Sequence, residues 1–301
     1  MTGGSSKHHP ERLGAALILI ATLFVGVGDA SVKWLSATYS TMEITFIRCL
    51  GGLILVLAFM AATGRLGALR TRRPGLHAVR AVLVTLVMLG GFYALGSIPI
   101  VEVEAIGHAA PFFVALLSPV LLREKVTGHN WLAIALGFMG VVIILRPDPA
   151  HFHVAHLYMF ACAFAYAVLI MLARMLTSTD SVFAINFYIY PLAAIVTGIG
   201  MTGSWISPSL VDTLIFALFV VCNTSAVLLF LSGLRHVDAT LAATLDYFTL
   251  IWVTLAGVLI WGEYPDPVST IGIVFIVSGG IYIVRHSTRR IDESIVQTTD
   301  H

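Results

Sequence analysis

Ten apolar stretches, each close to the length that crosses a bilayer, constrain this chain more than any other feature of its sequence. A hydrocarbon core about 30 Å thick needs about 20 apolar residues in a helix. Membrane β-strands alternate apolar and polar residues over about 10 positions, whereas the segment 132–145 is apolar throughout. The sequence therefore predicts an all-α polytopic membrane protein with ten transmembrane helices, at 13–35, 43–63, 77–97, 100–122, 129–146, 154–175, 182–203, 209–231, 238–260 and 267–285.

The composition argues against several other classes of protein. Only 11% of the 301 residues are charged, against about 25% in a soluble domain. A net charge of +1 without a basic stripe argues against a nucleic-acid partner, and three cysteines inside apolar runs argue against a disulfide scaffold. His151, His153 and His156 have a spacing that a metal site can use, but the short proline-bounded loop around them favours an interfacial turn. We expect no cofactor and no resident metal.

The distribution of positive charge predicts the orientation in the membrane. Fourteen of the 17 Lys and Arg residues lie near span ends on the side of the two termini, and positive residues of membrane proteins collect on the cytoplasmic side. With ten spans, both termini lie on the same side. We therefore expect a multi-pass protein of the cell inner membrane with cytoplasmic tails at 1–12 and 286–301.

The two halves of the chain repeat one pattern. Residues 105–145 overlay the C-terminal part at a shift of 139 residues, so that Glu124 meets Glu263. Each half contains five spans, and this odd number places the second copy upside down in the membrane relative to the first. Inverted repeats are an architecture of secondary transporters, with the site near mid-bilayer at the pseudo-two-fold axis. The predicted domains are two inverted five-helix repeats, at 13–146 and 154–285.

Several short motifs also resemble those of a known family. They are Phe46-Ile-Arg48, Phe92-Tyr93-Ala94-Leu95, Ala105-Ile-Gly-His-Ala-Ala-Pro111, Leu121-Leu-Arg-Glu124, Trp261-Gly-Glu263-Tyr-Pro265 and Gly279-Gly280. Together with the repeats, they make the chain similar to EamA-type members of the drug/metabolite transporter superfamily over residues 13–285. The segment Asp29-Ala-Ser-Val-Lys33, followed by Arg48, most resembles a bacterial branch with S-adenosylmethionine-type and riboflavin-type carriers. The resemblance implies ten helices, no ATP hydrolysis and transport of a small organic solute.

Polar residues near mid-membrane are the first candidates for a substrate site. Glu104, His108 and Phe112 are spaced along one face of the predicted fourth helix. The repeat overlay places His108 opposite Tyr247, with Asp246 beside it. Uncompensated polar groups are costly in lipid, which favours a cavity, although a neutral packing histidine is the alternative. Histidine is also a residue type that can carry a coupling proton.

A second group of candidates lies in the outer half of the membrane. Asp29 and Lys33 share one helix face, and with Arg48 they are expected to form an ion cluster that either contacts substrate or only fixes helix packing. The net negative charge of the outer-half residues favours a cationic moiety. Lesser candidates, which serve equally well as bridges between helices, are Tyr93, Asn186 and Asn223.

These patterns together predict a secondary active transporter for a small polar or zwitterionic organic metabolite, such as an amino acid, an amino-acid conjugate or a cofactor-like compound. Its partners are that small-molecule substrate and the lipid bilayer, and the sequence leaves open a coupling proton and a homodimer. Two alternatives remain at this point. Gly26-Val-Gly-Asp29 matches the GxGD string of intramembrane proteases, so a hydrolase would use Asp29 and Asp246, and a passive channel would show conductance without counterflow.

Overall fold

The structure, a computed structural model, describes residues 8–121, 128–145, 153–177, 179–233, 236, 245–279 and 281–282. Within these ranges the secondary structure is helical and contains no strand, which confirms the all-α class. The helices are α1 His8–Leu35, α2 Thr41–Ala62, α3 Pro74–Leu95, α4 Ile100–Gly107, α5 Ala110–Leu121, α6 Gly128–Leu145, α7 Val154–Thr177, α8 Val182–Phe187, α9 Ile189–Gly200, α10 Leu210–Gly233, α11 Phe248–Ala256 and α12 Pro267–Gly279, with a 3₁₀ turn at Leu66–Leu69.

The helices lie where the apolar stretches predict them. In the described part of the chain, six are long and apolar enough to cross a membrane: Arg12–Leu35, Thr41–Ala62, Pro74–Leu95, Val154–Leu172, Phe183–Gly200 and Leu210–Phe230. The first helix begins at His8, five residues before the predicted start of the first span. Glu124, His151 and the predicted C-terminal tail lie outside the described residues.

Three of the predicted spans are broken, and two of the breaks have a cause in the sequence. The fourth span is interrupted at His108 between α4 and α5, and the seventh at Tyr188 between α8 and α9. In both cases a proline, Pro111 or Pro191, follows three residues later. A proline has no N–H to donate to the carbonyl four residues earlier and disfavours helical geometry before it. The third break is a turn at Tyr247, immediately before α11.

Helices of the two repeats pair with each other. The most extensive contacts join α1 with α10 and α11, α2 with α9, and α3 with α7. Glycines allow some of these helices to approach closely, as a Cβ atom at Gly26 of α1 would lie only 2.8 Å from Cβ of Trp252 in α11. The core is therefore formed between the repeats, and a movement of one repeat against the other changes these interfaces.

The connecting segments collect at two opposite ends of the bundle. At one end, here called the Glu263 face, Lys33 forms an ion pair with Glu263 at 2.9 Å, and Tyr39 donates to Asp212 at 2.8 Å. At the other end, the Asp180 face, Asp180 lies 2.7 Å from Nε2 of His77. Both ends thus hold contacts between the first and second repeats.

Candidate functional site

The breaks in the fourth and ninth spans bring His108 and Tyr247 together at the centre of the bundle. Their ring centroids are 5.2 Å apart, with an interplanar angle of 31°. Nδ1 of His108 lies 2.8 Å from the carbonyl oxygen of Glu104, and since a carbonyl only accepts, this nitrogen carries the proton. Nε2 lies 3.8 Å from an Asp246 carboxylate oxygen, and a Glu104 carboxylate oxygen lies 3.9 Å from Nδ1. His108 is therefore flanked by two carboxyl groups, one from each repeat.

A third carboxyl group completes this cluster from α1. Asp29 is 8% exposed, and its carboxyl group lies within electrostatic range of that of Glu104. Two carboxyl groups at one site do not both ionise freely, because their like charges repel each other. These three residues and His108 are here called the carboxylate cluster, which consists of Asp29, Glu104, Asp246 and His108 and attracts cations.

Two side chains beside the carboxylate cluster are accessible. The side chain of Asp246 is 46% exposed, although it lies beside His108 and Tyr247. Tyr166 of α7 is 51% exposed, yet it lies within electrostatic range of Asp246, Arg80 and Glu104. Ionisable side chains in membrane-spanning helices usually face the bundle interior or a water-filled cavity, and the exposure of these two residues fits a cavity. Discontinuous helices around such a cavity are a typical arrangement for binding a polar solute in a membrane.

The comparison with known proteins identifies the family. The EamA-like transporter family matches residues 12–146 and 153–285, one copy for each half of the chain. The chain belongs to the EamA-like transporter family. This confirms the resemblance found in the sequence, and it makes the protein a transporter and not an enzyme, so the interpretation of Gly26-Val-Gly-Asp29 as a protease motif is excluded.

Relatives of this EamA-like transporter carry several names. An S-adenosylmethionine uptake transporter of Rickettsia bellii is 26% identical over 285 residues, covering 94% of this chain and 97% of its own. The pseudopaline exporter CntI of Pseudomonas aeruginosa is 28% identical, covering 90% and 96%. A riboflavin transporter of Vibrio cholerae is 25% identical, covering 95% and 97%. A solved crystal structure shares the fold with a TM-score of 0.62 at 18% identity, covering 94% and 99%.

The predicted ion cluster of Asp29, Lys33 and Arg48 is wrong for this EamA-like transporter. Lys33 instead extends along α1 to the Glu263 face, where it pairs with Glu263 and donates to the carbonyl of Ile98 at 3.1 Å. Arg48 points to α10, where its Nε donates to Asn223 Oδ1 at 3.1 Å. Long flexible side chains at i and i+4 share a face but also reach other helices, and here the partners across the bundle prevail.

Phe112 does not line the cavity with Glu104 and His108, contrary to the prediction from helical spacing. The break at His108 changes the direction of the chain, and Phe112 is fully buried in an apolar cluster with Ile106 and Leu250. Its ring lies so close to α6 that a Cβ atom at Gly137 would be 2.1 Å from it. Helical spacing therefore predicts the positions of side chains only as far as His108, where the helix is interrupted.

The remaining candidates are spread over the transporter. Tyr93 packs against Tyr158 with centroids 5.6 Å apart, and it lines an apolar groove between α3 and α7 away from the carboxylate cluster. Asn186 is half-buried in α8, next to Ile185, whose carbonyl oxygen accepts from Arg80. Among the histidines beyond the fifth span, His156 lies 2.8 Å from Glu102, which also accepts from Ser269 at 2.8 Å.

Sequence reasoning missed Tyr166 and Arg80 as neighbours of the site. Arg80 lies inside α3, and its position within a predicted span was a signal that it needs a partner. In the sequence, Arg80 is one of the positive residues near span ends that predict the orientation in the membrane. Tyr166 lies in an uninterrupted apolar run, and no charge or repeat signal distinguishes it there from the other aromatic residues of α7.

Proposed function

We propose that this protein is a secondary active transporter that moves a small polar or zwitterionic metabolite with a cationic group across the bacterial inner membrane. The observation that carries the proposal is the carboxylate cluster at the matched breaks of the two repeats, where the side chain of Asp246 is 46% exposed. Three carboxyl groups around one histidine attract a cation. Asp29 and Glu104 are largely buried, and burial makes that attraction stronger than it would be in bulk water.

Alternating access is the mechanism that fits this arrangement best. His108 of the first repeat and Tyr247 of the second lie on either side of the pseudo-axis, so rocking of the halves exposes them to each face in turn. The ion pair of Lys33 with Glu263 and the contact of His77 with Asp180 join the two repeats at opposite ends of the bundle. If the contacts at one end break while those at the other end remain, the protein has an inward-open and an outward-open state of similar energy.

The names of the relatives support the substrate class. S-adenosylmethionine carriers recur among them, and that molecule carries a positive sulfonium and an amino-acid group. We therefore extend to this chain the class of amino acids, amino-acid conjugates and cofactor-like compounds. Since the relatives include both uptake and export proteins, the proposal does not specify a direction. The proton held between Asp29 and Glu104 is the proposed coupling ion.

Counterflow in proteoliposomes tests the proposal, with a panel of labelled metabolites from these classes. We expect saturable counterflow of at least one of them, and we expect His108→Ala to lower it at least 10-fold because His108 lies between the carboxyl groups of Glu104 and Asp246. His236→Ala is the matched control, since His236 is exposed at the end of the bundle and its replacement should leave counterflow unchanged. Normal counterflow in His108→Ala would contradict the assignment of the central site, and conductance without counterflow would indicate a channel.

Cysteine labelling tests the proposed orientation, with both termini in the cytoplasm. Gly67 at the Asp180 face has open space around it, and Tyr264 at the Glu263 face is 77% exposed. The native Cys49, Cys162 and Cys222 are buried and give little background. In intact cells, an impermeant maleimide should label Tyr264→Cys and leave Gly67→Cys unlabelled. The reverse pattern would overturn the orientation, and equal labelling from outside would overturn the inverted repeat.

A further inference from the structure

We propose that Arg48 and Asn223 form an anion-binding subsite, which receives the carboxylate of a zwitterionic substrate. The inference rests on the proposed function, because it assigns the second end of the same solute. The cationic end of the substrate would lie at the carboxylate cluster. The carboxylate of the substrate would lie between α2 and α10, on the side of α1 that faces these two helices. The observations that carry it are the burial, the missing counter-charge and the fixed orientation of these two side chains.

Arg48 holds a buried positive charge without a counter-charge. The residue is 2% exposed, and among the described residues no carboxylate lies within 4.0 Å of its guanidinium. Its neighbours are neutral: the amide of Asn223 and the rings of Tyr190 and Phe219, at 5.5 and 5.8 Å from the guanidinium carbon. A charge in this environment is costly, so an anion that reaches it is bound strongly.

One nitrogen of this guanidinium is free to bind a ligand. Nη1 is buried and has no hydrogen-bond partner in the described part of the chain. It lies against Gly52, where a Cβ atom would come within 2.7 Å of it. A buried donor without an acceptor is destabilising, and a carboxylate oxygen supplies the missing acceptor.

Arg48 also fixes the orientation of Asn223. Both Nε and Nη2 donate to Oδ1 of Asn223, so the amide NH₂ group must point away from the guanidinium. That group faces α1 at Gly28, where a Cβ atom would lie 3.7 Å from Nδ2. Gly28 adds no side chain there, and the next residue, Asp29, belongs to the carboxylate cluster. The positive and negative ends of the site are thus adjacent along α1.

The position of the pair between the repeats gives the substrate a way in. Arg48 lies on α2 of the first repeat and Asn223 on α10 of the second, and these helices are in contact. Rocking of the halves changes the separation of α2 and α10. The carboxylate accepts first from Asn223 Nδ2, and from Arg48 Nη1 as the two helices separate.

Matched pairs of ligands, with and without a carboxylate, test the subsite. The probes are S-adenosylmethionine and its decarboxylated form, lysine and cadaverine, and ornithine and putrescine, measured by calorimetry on the full-length protein. For at least one pair, the wild type should bind the carboxylate member about 10- to 100-fold more tightly, as expected for hydrogen bonds to a charged group. Arg48→Gln should reduce this ratio to about 1–2 by weakening only the carboxylate member.

A second variant keeps the test decisive if Arg48→Gln fails to fold. Asn223→Asp gives Arg48 a permanent carboxylate partner, so this variant should fold well and still lose the preference for the carboxylate member. Equal weakening of both members in Arg48→Gln, or an unchanged ratio in Asn223→Asp, would overturn the subsite. Wild-type preference for the decarboxylated member would overturn it as well. Binding of none of the six probes would instead count against the substrate class of the proposed function.

Discussion

Asp29→Asn should lower transport at least 100-fold and remove most of its dependence on pH. The carboxyl groups of Asp29 and Glu104 interact in a buried site, and two neighbouring buried carboxyl groups do not both ionise freely, so we expect them to retain one proton. A cationic substrate that binds there displaces the proton, so in the wild type the affinity should rise as the pH rises. Asparagine keeps the shape of the side chain but removes one negative charge and the proton shared between the two groups, so both the affinity and its pH dependence fall.

Proton release on substrate binding is the measurement that separates this mechanism from a general loss of folding. In weakly buffered solution with a pH indicator, the wild type should release about one proton for each substrate bound, and Asp29→Asn much less. Asp212→Asn is the matched control, because Asp212 lies near the Glu263 face with Tyr39 and Ser209. It should leave both the proton release and the pH profile unchanged. Wild-type binding without proton release would contradict the exchange of proton for cation.

The sequence predicts much of this fold because its signals are strong and local. Each span is a long apolar run, and a membrane core leaves few alternatives to a helix there. The repeat offset of 139 residues then paired His108 with Tyr247, and the structure brings these two rings within 5.2 Å. The offset was informative because a pseudo-symmetric bundle places equivalent positions beside one axis. Pro111 and Pro191 also carried the signal for two of the breaks.

The partners of the long charged side chains could not be predicted in the same way. Lys33 and Arg48 each reach several ångströms from their helices, so sequence spacing does not decide among partners on different helices. Which helix lies opposite depends on packing, and here α1 and α2 both contact α10. The same limit applies to Phe112, which helical spacing places on one face with Glu104 and His108. The direction of its side chain depends on the helix break at His108, and the spacing of residues in the sequence does not include that break. For Tyr166, only the arrangement of the helices shows that the side chain lies near the charged groups of Asp246, Arg80 and Glu104.

Removal of the Asp180 carboxylate should open the Asp180 face and change the access of the cavity. Asp180 accepts hydrogen bonds from Thr71 Oγ1, the Arg72 N–H and His77 Nε2, all in the first repeat, while Asp180 itself lies between α7 and α8 of the second. The ring of His77 also lies 4.7 Å from that of Tyr188 at the break before α9. Loss of the acceptor leaves His77 buried without a partner for Nε2, which favours separation of the repeats at this face.

The pH behaviour of this network follows from the same contacts. Hydrogen bonds from Thr71 and His77, together with the backbone of Arg72, hold the pKa of Asp180 at about 2. Because the folded-state pKa is below the ordinary value of 3.8, the stabilisation is fully present above that value and is lost as the pH falls through about 2. Between pH 5 and 8 Asp180 stays ionised, so its own titration should not alter access to the cavity in that range.

A cysteine at position 166 reports the opening directly, because Tyr166 lies beside the carboxylate cluster and is half exposed. In the Tyr166→Cys background, Asp180→Ala should raise the rate of maleimide labelling from the Asp180 face at least 10-fold, measured in vesicles of known orientation. Asp180→Asn keeps one acceptor and should raise it less, and Asp212→Asn, at the opposite face, should not raise it. An unchanged rate in Asp180→Ala would mean that other contacts hold this face closed. The candidates would then be the hydrogen bonds of Ser181 and Arg80 to the carbonyls of Ala68 and Ile185, which also join the two repeats.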